Sequence, residues 1–147
     1  MGKTDQGVVA LWVAKHIFGG ELNYIGFGGE GKQVRDILHV DDLFSLLTLQ
    51  LKALGDISGH VFNVGGGTEN SLSLKELTAL CQKYTGNHIK IGSIKENRKG
   101  DIKIYITDNS LVSQKFGWRP MIGCERTIEE TSRWIRQNKE ILEPIFQ

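Results

Sequence analysis

The stretch Gly26-Phe27-Gly28-Gly29-Glu30-Gly31-Lys32-Gln33-Val34-Arg35-Asp36-Ile37-Leu38 decides how the chain is to be read. Its first six residues fit G-x-G-x-x-G literally. In a dinucleotide-binding fold the last glycine of that motif opens a helix, and the helix N-terminus holds a pyrophosphate. Here the residues after Gly31 are long or β-branched, and Gln33 to His39 reads as a strand. The motif lacks the context its chemistry needs, so it reads as a glycine turn between strands.

Working outward, helices and strands alternate. Gly7 to Phe18 reads as a helix closed by Gly19-Gly20, and Asn23 to Ile25 as a short strand entering the glycine turn. Asp41 is expected to cap a helix reaching about Leu54, with Gly55 beyond it. His60 to Val64 is expected to be a strand ending in Gly65-Gly66-Gly67. Ser73-Leu74-Lys75-Glu76 is a capping box opening a helix that Gly86 ends. Ile89 to Ile94 and Lys103 to Ile106 read as extended. Asp108 caps a short helix ending at Gly117. A final helix is expected over about Cys124 to Leu142, with Ile128, Trp134, Ile135 and Ile141 buried. The pattern is α/β, without internal repeats.

Two helices are too apolar for a self-contained domain. Val8 to Ala14 is apolar all round, and Leu43 to Leu54 carries seven Leu or Phe against one charge, Lys52. A surface helix has a polar face. Some of this surface is therefore expected to pack against protein outside the chain.

The 147 residues include 18 Gly and 2 Pro, where average usage gives about ten and seven. Net charge is +1, without the basic excess of a duplex-binding module, so nucleic acid is not an expected partner. Two cysteines make neither a disulfide framework nor a zinc set. The four histidines lack metal-ligand spacing, so no metal is expected. At the N-terminus Asp5 interrupts a would-be signal peptide, and Gln6 stands where myristoylation wants Ser or Thr. Val8 to Ala14 is too short to cross a bilayer, so no membrane partner and a cytoplasmic location are expected.

For chemistry, Gly65-Gly66-Gly67 suits either a flexible connection or close approach of backbone to a ligand. Arg35 follows one glycine turn, and Arg98-Lys99-Gly100-Asp101 places a guanidinium and a carboxylate in one loop. An Arg fork suits phosphate oxygens, while a carboxylate accepts hydrogen bonds from ribose hydroxyls. Asp41-Asp42 and Glu129-Glu130 are poor candidates for paired carboxylates, because adjacent helical residues do not face each other. No catalytic residue is expected.

Gly31 to Asp42 resembles the R-D-x-x-H-V-x-D segment of the extended short-chain dehydrogenase/reductases, the NAD-dependent sugar-nucleotide epimerase/dehydratase family. Phe62-Asn63-Val64-Gly65-Gly66 is similar to the family's N-x-G-x-G strand end. Arg98 to Asp101 resembles its R-x-G-D loop, and Phe116-Gly117-Trp118-Arg119-Pro120 its L-G-W-x-P stretch. The four segments stand in family order. Thr4 to Gly7 and Gly31 to Asp36 are most similar to the family's CDP-sugar 2-epimerases.

The resemblance implies the carboxy-terminal portion of an extended Rossmann-type α/β fold, lacking the N-terminal dinucleotide-binding core. Residues 1–147 would form a single substrate-binding lobe. It implies that Arg35 and Arg98 grip the diphosphate of a CDP- or UDP-linked sugar, that Asp101 takes ribose hydroxyls, that Leu72 packs on the base, and that Gln33 lies nearby. Lys99 stands where relatives often have proline. The parent would use NAD and form a homo-oligomer. This chain alone would bind no cofactor and turn nothing over, because it has no Tyr-x-x-x-Lys: Tyr24, Tyr84 and Tyr105 are followed four residues later by Gly28, His88 and Asn109. A non-catalytic nucleotide-sugar module and an oligomerisation domain are the alternatives.

Overall fold

A computed structural model describes residues 7–146; Thr4-Asp5-Gln6 and the N-terminal targeting features lie outside them. In chain order the elements are α1 (Val8–Phe18), β1 (Leu22–Ile25), β2 (Val34–Asp36), α2 (Val40–Lys52) and α3 (Leu54–Ile57). A 3-10 turn (Thr68–Asn70), β3 (Ser71–Ser73), α4 (Leu74–Thr85), β4 (Ile91–Ile94) and β5 (Ile104–Tyr105) follow. The chain ends with α5 (Ser110–Phe116), α6 (Cys124–Gln137) and α7 (Lys139–Phe146). The contacts fall into two units: residues up to Gln33, Ser73–Lys103 and Glu125 onward form one; Val34–Leu72 and Ile104–Cys124 form the other.

In the first unit β1 and β4 pair in parallel, Leu22 opposite Ile91 and Ile25 opposite Ile94. Helix α4 begins as its sequence dictates. The Ser73 hydroxyl accepts from the Glu76 amide at 3.2 Å, and the Glu76 carboxylate accepts from the Ser73 amide at 2.7 Å. Hydrogen bonds from the Ser73 hydroxyl and then its amide hold the Glu76 carboxyl below its usual value. Gly86 closes the helix in the left-handed region, φ 71°. Thr78 joins three elements: its hydroxyl accepts from Trp12 Nε1 at 2.9 Å and from the Tyr24 hydroxyl at 2.8 Å. Leu77, Cys81, Ile128 and Ile135 complete a core with Trp12, Val13 and Ala14, so α1 is largely enclosed within the chain.

In the second unit the strand order is β3-β2-β5, with β2 and β5 parallel (Val34 opposite Ile104). Its core is Leu46, Val112 and Trp118, with Leu38, Leu49, Phe62, Val64 and Phe116 packed on it. Asp42 is buried on α2. Its carboxylate accepts from the Met121 and Ile122 amides at 3.0 and 2.9 Å, while its carbonyl accepts from Trp118 Nε1 at 3.1 Å. The glycine turn after Val64 is pressed against β2. A Cβ on Gly66 would stand 2.1 Å from the Ile37 carbonyl oxygen. The Asp36 carboxylate accepts from the Gly67 amide at 3.0 Å, and the Asn109 side chain both accepts from and donates to the Gly65 backbone.

Several expectations need correction. Asp41 is not the cap of α2; the helix starts a residue earlier, and His39 Nδ1 accepts from the Asp41 amide at 3.1 Å. Gly55 lies inside α3 rather than beyond a single helix. The strand expected over Gln33 to His39 spans only Val34–Asp36, and residues 60–64 pair with no strand among the described residues. The last helix is two, α6 and α7, with a break at Asn138. Trp134 (55% exposed) and Ile141 (71%) are not buried. The buried side of α6 runs through Thr127, Ile128, Ser132 and Ile135, and Trp134 lies on another side of the same turn.

Two pairs of variants test these contacts. Asp42→Ala removes the acceptor of two backbone donors and is expected to lower unfolding free energy by about 2 kcal/mol. Asp41→Ala, exposed beside it, should stay within about 0.5 kcal/mol; urea denaturation giving equal losses would refute the anchoring role. Gly66→Ala should cost about 3 kcal/mol through overpacking. Gly55→Ala, with nothing within 4 Å of its Cβ, should instead stabilise by about 0.5–1 kcal/mol, read as opposite shifts in melting temperature.

Candidate functional site

In the first unit the candidate residues gather at one end of the parallel pair. Both β1 and β4 run out at isoleucines, Ile25 and Ile94, and the segments that follow carry the candidates. After β1 comes the turn 26–31, in which Gly26, Gly28, Gly29 and Gly31, and also Phe27, take positive φ. The Gly26 amide donates to the Ile94 carbonyl at 2.7 Å, closing the turn onto the end of β4. After β4 comes the loop holding Arg98 and Asp101. Asn97 docks that loop, its side-chain oxygen accepting from the Phe27 amide at 2.6 Å. Ligands of open α/β sheets bind outside the carboxyl ends of the strands, which is where these loops stand.

Gln33 is buried beneath the turn, its amide nitrogen donating to the Ile25 carbonyl. Its side-chain oxygen is buried and has no partner. Such an acceptor has a hydrogen bond still to accept. Arg98 is exposed, with its carbonyl accepting from the Asp101 amide at 3.2 Å. Asp101 is half-buried and accepts from the Ile102 amide at 2.9 Å. The structure thus brings Gln33 and the Arg98–Asp101 loop to the same strand ends.

Arg35 and Leu72 belong to the second unit, on neighbouring strands β2 and β3. Arg35 is half-buried, and its Nη1 donates to the Val34 carbonyl at 2.8 Å. Leu72 is 8% exposed. An open groove of about 650 Å3 in this unit is lined by Gly67, Thr68, Asp108 and Asn109 among others, and neither Arg35 nor Leu72 borders it.

The second glycine turn is held within the chain and is not a flexible connection. Its backbone does approach something closely, but the neighbours are Ile37, Asp36 and Asn109 of the same chain. The residues that hold it, Asp36 and Asn109, went unnoticed in the sequence. They stand 29 or more residues from the turn they bind, and no spacing announces such a partnership.

Several other titratable groups are engaged by burial or by ion pairs. Burial pushes the Cys81 thiol up to about 12, which leaves it protonated and inert. His16 is buried, its Nδ1 2.7 Å from the Trp12 carbonyl; burial pushes its pKa down. Glu129 and Glu130 pair with Arg133 and Arg126 one helical turn away. Among the described residues no group of His, Cys, Asp and Glu could hold a metal, and no helix is long and apolar enough to cross a membrane. The turn at 26–31 leads into β2, so it lacks the helix N-terminus that holds a pyrophosphate in the dinucleotide motif.

Comparison with known proteins places this geometry. The chain is 31% identical over 132 residues to CDP-paratose 2-epimerase of Salmonella typhi, covering 88% of this chain and 39% of that protein. It superposes on UDP-glucose 4-epimerase of Thermotoga maritima, solved with UDP-glucose, at a TM-score of 0.73 and 28% identity, covering 90% of this chain and 40% of that one. It also superposes on dTDP-glucose 4,6-dehydratase of Bacillus anthracis, solved in complex with NAD, at a TM-score of 0.77 and 27% identity over 95% of this chain and 42% of that one. No family model matches. The chain spans about 40% of the length of the relatives it matches. Its alternating helices and strands form part of a Rossmann-like α/β fold, and the chain belongs to the extended short-chain dehydrogenase/reductases, the family of sugar-nucleotide epimerases and dehydratases.

Proposed function

We propose that this chain is the nucleotide-diphosphate-sugar-binding part of an NAD-dependent sugar-nucleotide epimerase. The observation that carries the reading is the gathering of Gln33, with its unpartnered buried oxygen, and the exposed Arg98 loop at the carboxyl ends of β1 and β4. Its relatives support the ligand class: one is a CDP-sugar 2-epimerase, and another was solved with UDP-glucose.

In this reading Arg35 and Arg98 supply guanidinium forks to the diphosphate, each donating charge-assisted hydrogen bonds to its oxygens. Asp101 accepts from ribose hydroxyls, Leu72 packs on the base, and Gln33 lies alongside. Lys99, in place of the proline common in relatives, leaves the loop freer to adjust to its ligand. Binding energy from this non-reacting handle orients the sugar for chemistry carried out elsewhere.

The parent enzyme would take NAD, which supplies the hydride chemistry, in the part of the family fold outside this chain. The residues described here perform none of the hydride or proton transfers, for they include no Tyr-x-x-x-Lys and no glycine turn opening a helix. The parent acts in the cytoplasm and as a homo-oligomer in this reading. A non-catalytic nucleotide-sugar module using the same residues is the second reading, favoured by that missing pair.

Thermal-shift titration with CDP, UDP and GDP tests the binding role. A nucleotide at a hundredfold excess over its Kd should raise Tm by about 5–10 °C. Arg98→Ala should weaken Kd by about 10- to 100-fold without changing the Tm of the free chain. A shift that Arg98→Ala leaves intact would remove Arg98 from the site. The purified 147-residue chain given NAD and a CDP- or UDP-sugar is expected to show no turnover; epimerisation measured by product chromatography would contradict the division of labour.

A further inference from the structure

Within the turn at 26–31, Gly26, Gly28, Gly29 and Gly31 take positive φ without steric cost. Phe27 stands among them at φ 51°, the one such non-glycine among the described residues. In that region Cβ crowds the following carbonyl oxygen, and a bulky side chain there is rare. A residue stays in such a conformation only where its surroundings hold it.

The holder is Asn97. Its side-chain oxygen accepts from the Phe27 amide at 2.6 Å. The same oxygen lies against Gly26, where a Cβ would stand 3.0 Å from it and 3.3 Å from the Asn97 Cα. Two further bonds fasten the turn to β4 itself: the Gly26 amide donates to the Ile94 carbonyl, and the Ser93 hydroxyl donates to the Gly29 carbonyl at 2.9 Å. Asn97 carries this hold past the end of the strand, to the residue before Arg98. Residues 95–100 are all exposed, so burial does not fix this stretch.

The cost of a left-handed Phe is of the same order as the net worth of one hydrogen bond. Bond and strain therefore nearly offset each other. With the bond made, the Arg98 loop is tied to the turn. With it broken, Phe27 relaxes to negative φ, its amide turns away and the loop is released.

We propose that Asn97 is a positioning residue for nucleotide-sugar binding, a latch that sets the Arg98 loop through the strained backbone of Phe27. A loop held before the ligand arrives spares the ligand the cost of ordering it. The strain keeps the latch releasable, so the loop exchanges between held and released forms and the ligand draws it to the held one. Apparent affinity then scales with the fraction of chains in the held form. The proposal rests on reading Arg98 as part of the binding site.

Titration calorimetry with CDP tests it on the 147-residue chain, its Asn97→Ala variant and the double variant Asn97→Ala with Phe27→Gly. Asn97→Ala is expected to weaken Kd by about 5- to 10-fold and to leave the Tm of the free chain unchanged. Adding Phe27→Gly removes the strain, so the turn keeps its left-handed form without the bond, and Kd should recover to within about twofold of the parent chain. Loss of a direct contact between Asn97 and the ligand would not be restored by a change at residue 27. An unchanged Kd in Asn97→Ala would overturn the proposal, as would a double variant that binds no better than the single one. A parent chain that binds none of CDP, UDP and GDP faults the binding role instead. The latch is then read by hydrogen exchange at the Phe27 amide, expected about 5- to 10-fold faster in Asn97→Ala; equal rates in the two proteins would overturn it.

Discussion

The buried carboxylate of Asp42 organises the second unit. It sits on the first turn of α2, yet its work is done on the segment 118–122, whose two amides it accepts while its own carbonyl receives the Trp118 indole. Charge-assisted bonds from a fixed helix position hold an irregular segment as firmly as a strand ladder would. With that segment in place Trp118 fills the core against Leu46 and Val112, and Phe62 and Val64 gain a surface to lie on. The glycine turn at 65–67 follows: only a residue without Cβ passes the Ile37 carbonyl at that distance. The Trp118 and Gly65-Gly66 landmarks of the family-like sequence thus serve packing here, while Gly117 ends α5 in the left-handed region.

How legible each element was depends on how far its determinants lie from it. The Ser73 capping box and the left-handed glycines at 86 and 117 were readable because donor, acceptor and backbone strain all fall within one turn of chain. The cap of α2 was misread at the same range. Asp41 looked the better acceptor, but His39 Nδ1 meets the Asp41 amide, and the neighbouring Asp42 is engaged at long range. Residues 60–64 carry a strand's alternation without a strand's partner. Alternation reports which face is buried, whereas pairing needs a neighbour, and none is present among the described residues. Trp134 was misassigned because Thr127 and Ser132 occupy the buried side of α6, and small hydroxyl residues do not register in an apolar pattern.

The candidate site was legible to a different degree. That a strand and not a helix follows Gly26–Gly31 could be read from the long and β-branched residues after it, and β2 stands there. What could not be read was the turn's actual task. Closing on Ile94 and holding Asn97, it sets the Arg98 loop at the end of β4. Those partners lie some 70 residues away, beyond any local signal. Some of the glycines, Gly26, Gly29, Gly65 and Gly66 among them, thus serve close approaches between segments distant in the chain.

Neither unit's sheet can account for its own stability. Four residues of β1 against four of β4, and two-residue pairing between β2 and β5, are shorter than parallel strands that stand alone. Parallel sheets are ordinarily covered on both faces. The first unit compensates with helices: α1 and α4 bury Trp12, Val13, Leu77 and Cys81 around the Thr78 hydrogen bonds. The second unit has less to draw on. Its largest helix spends one face on the core and leaves five apolar side chains in water.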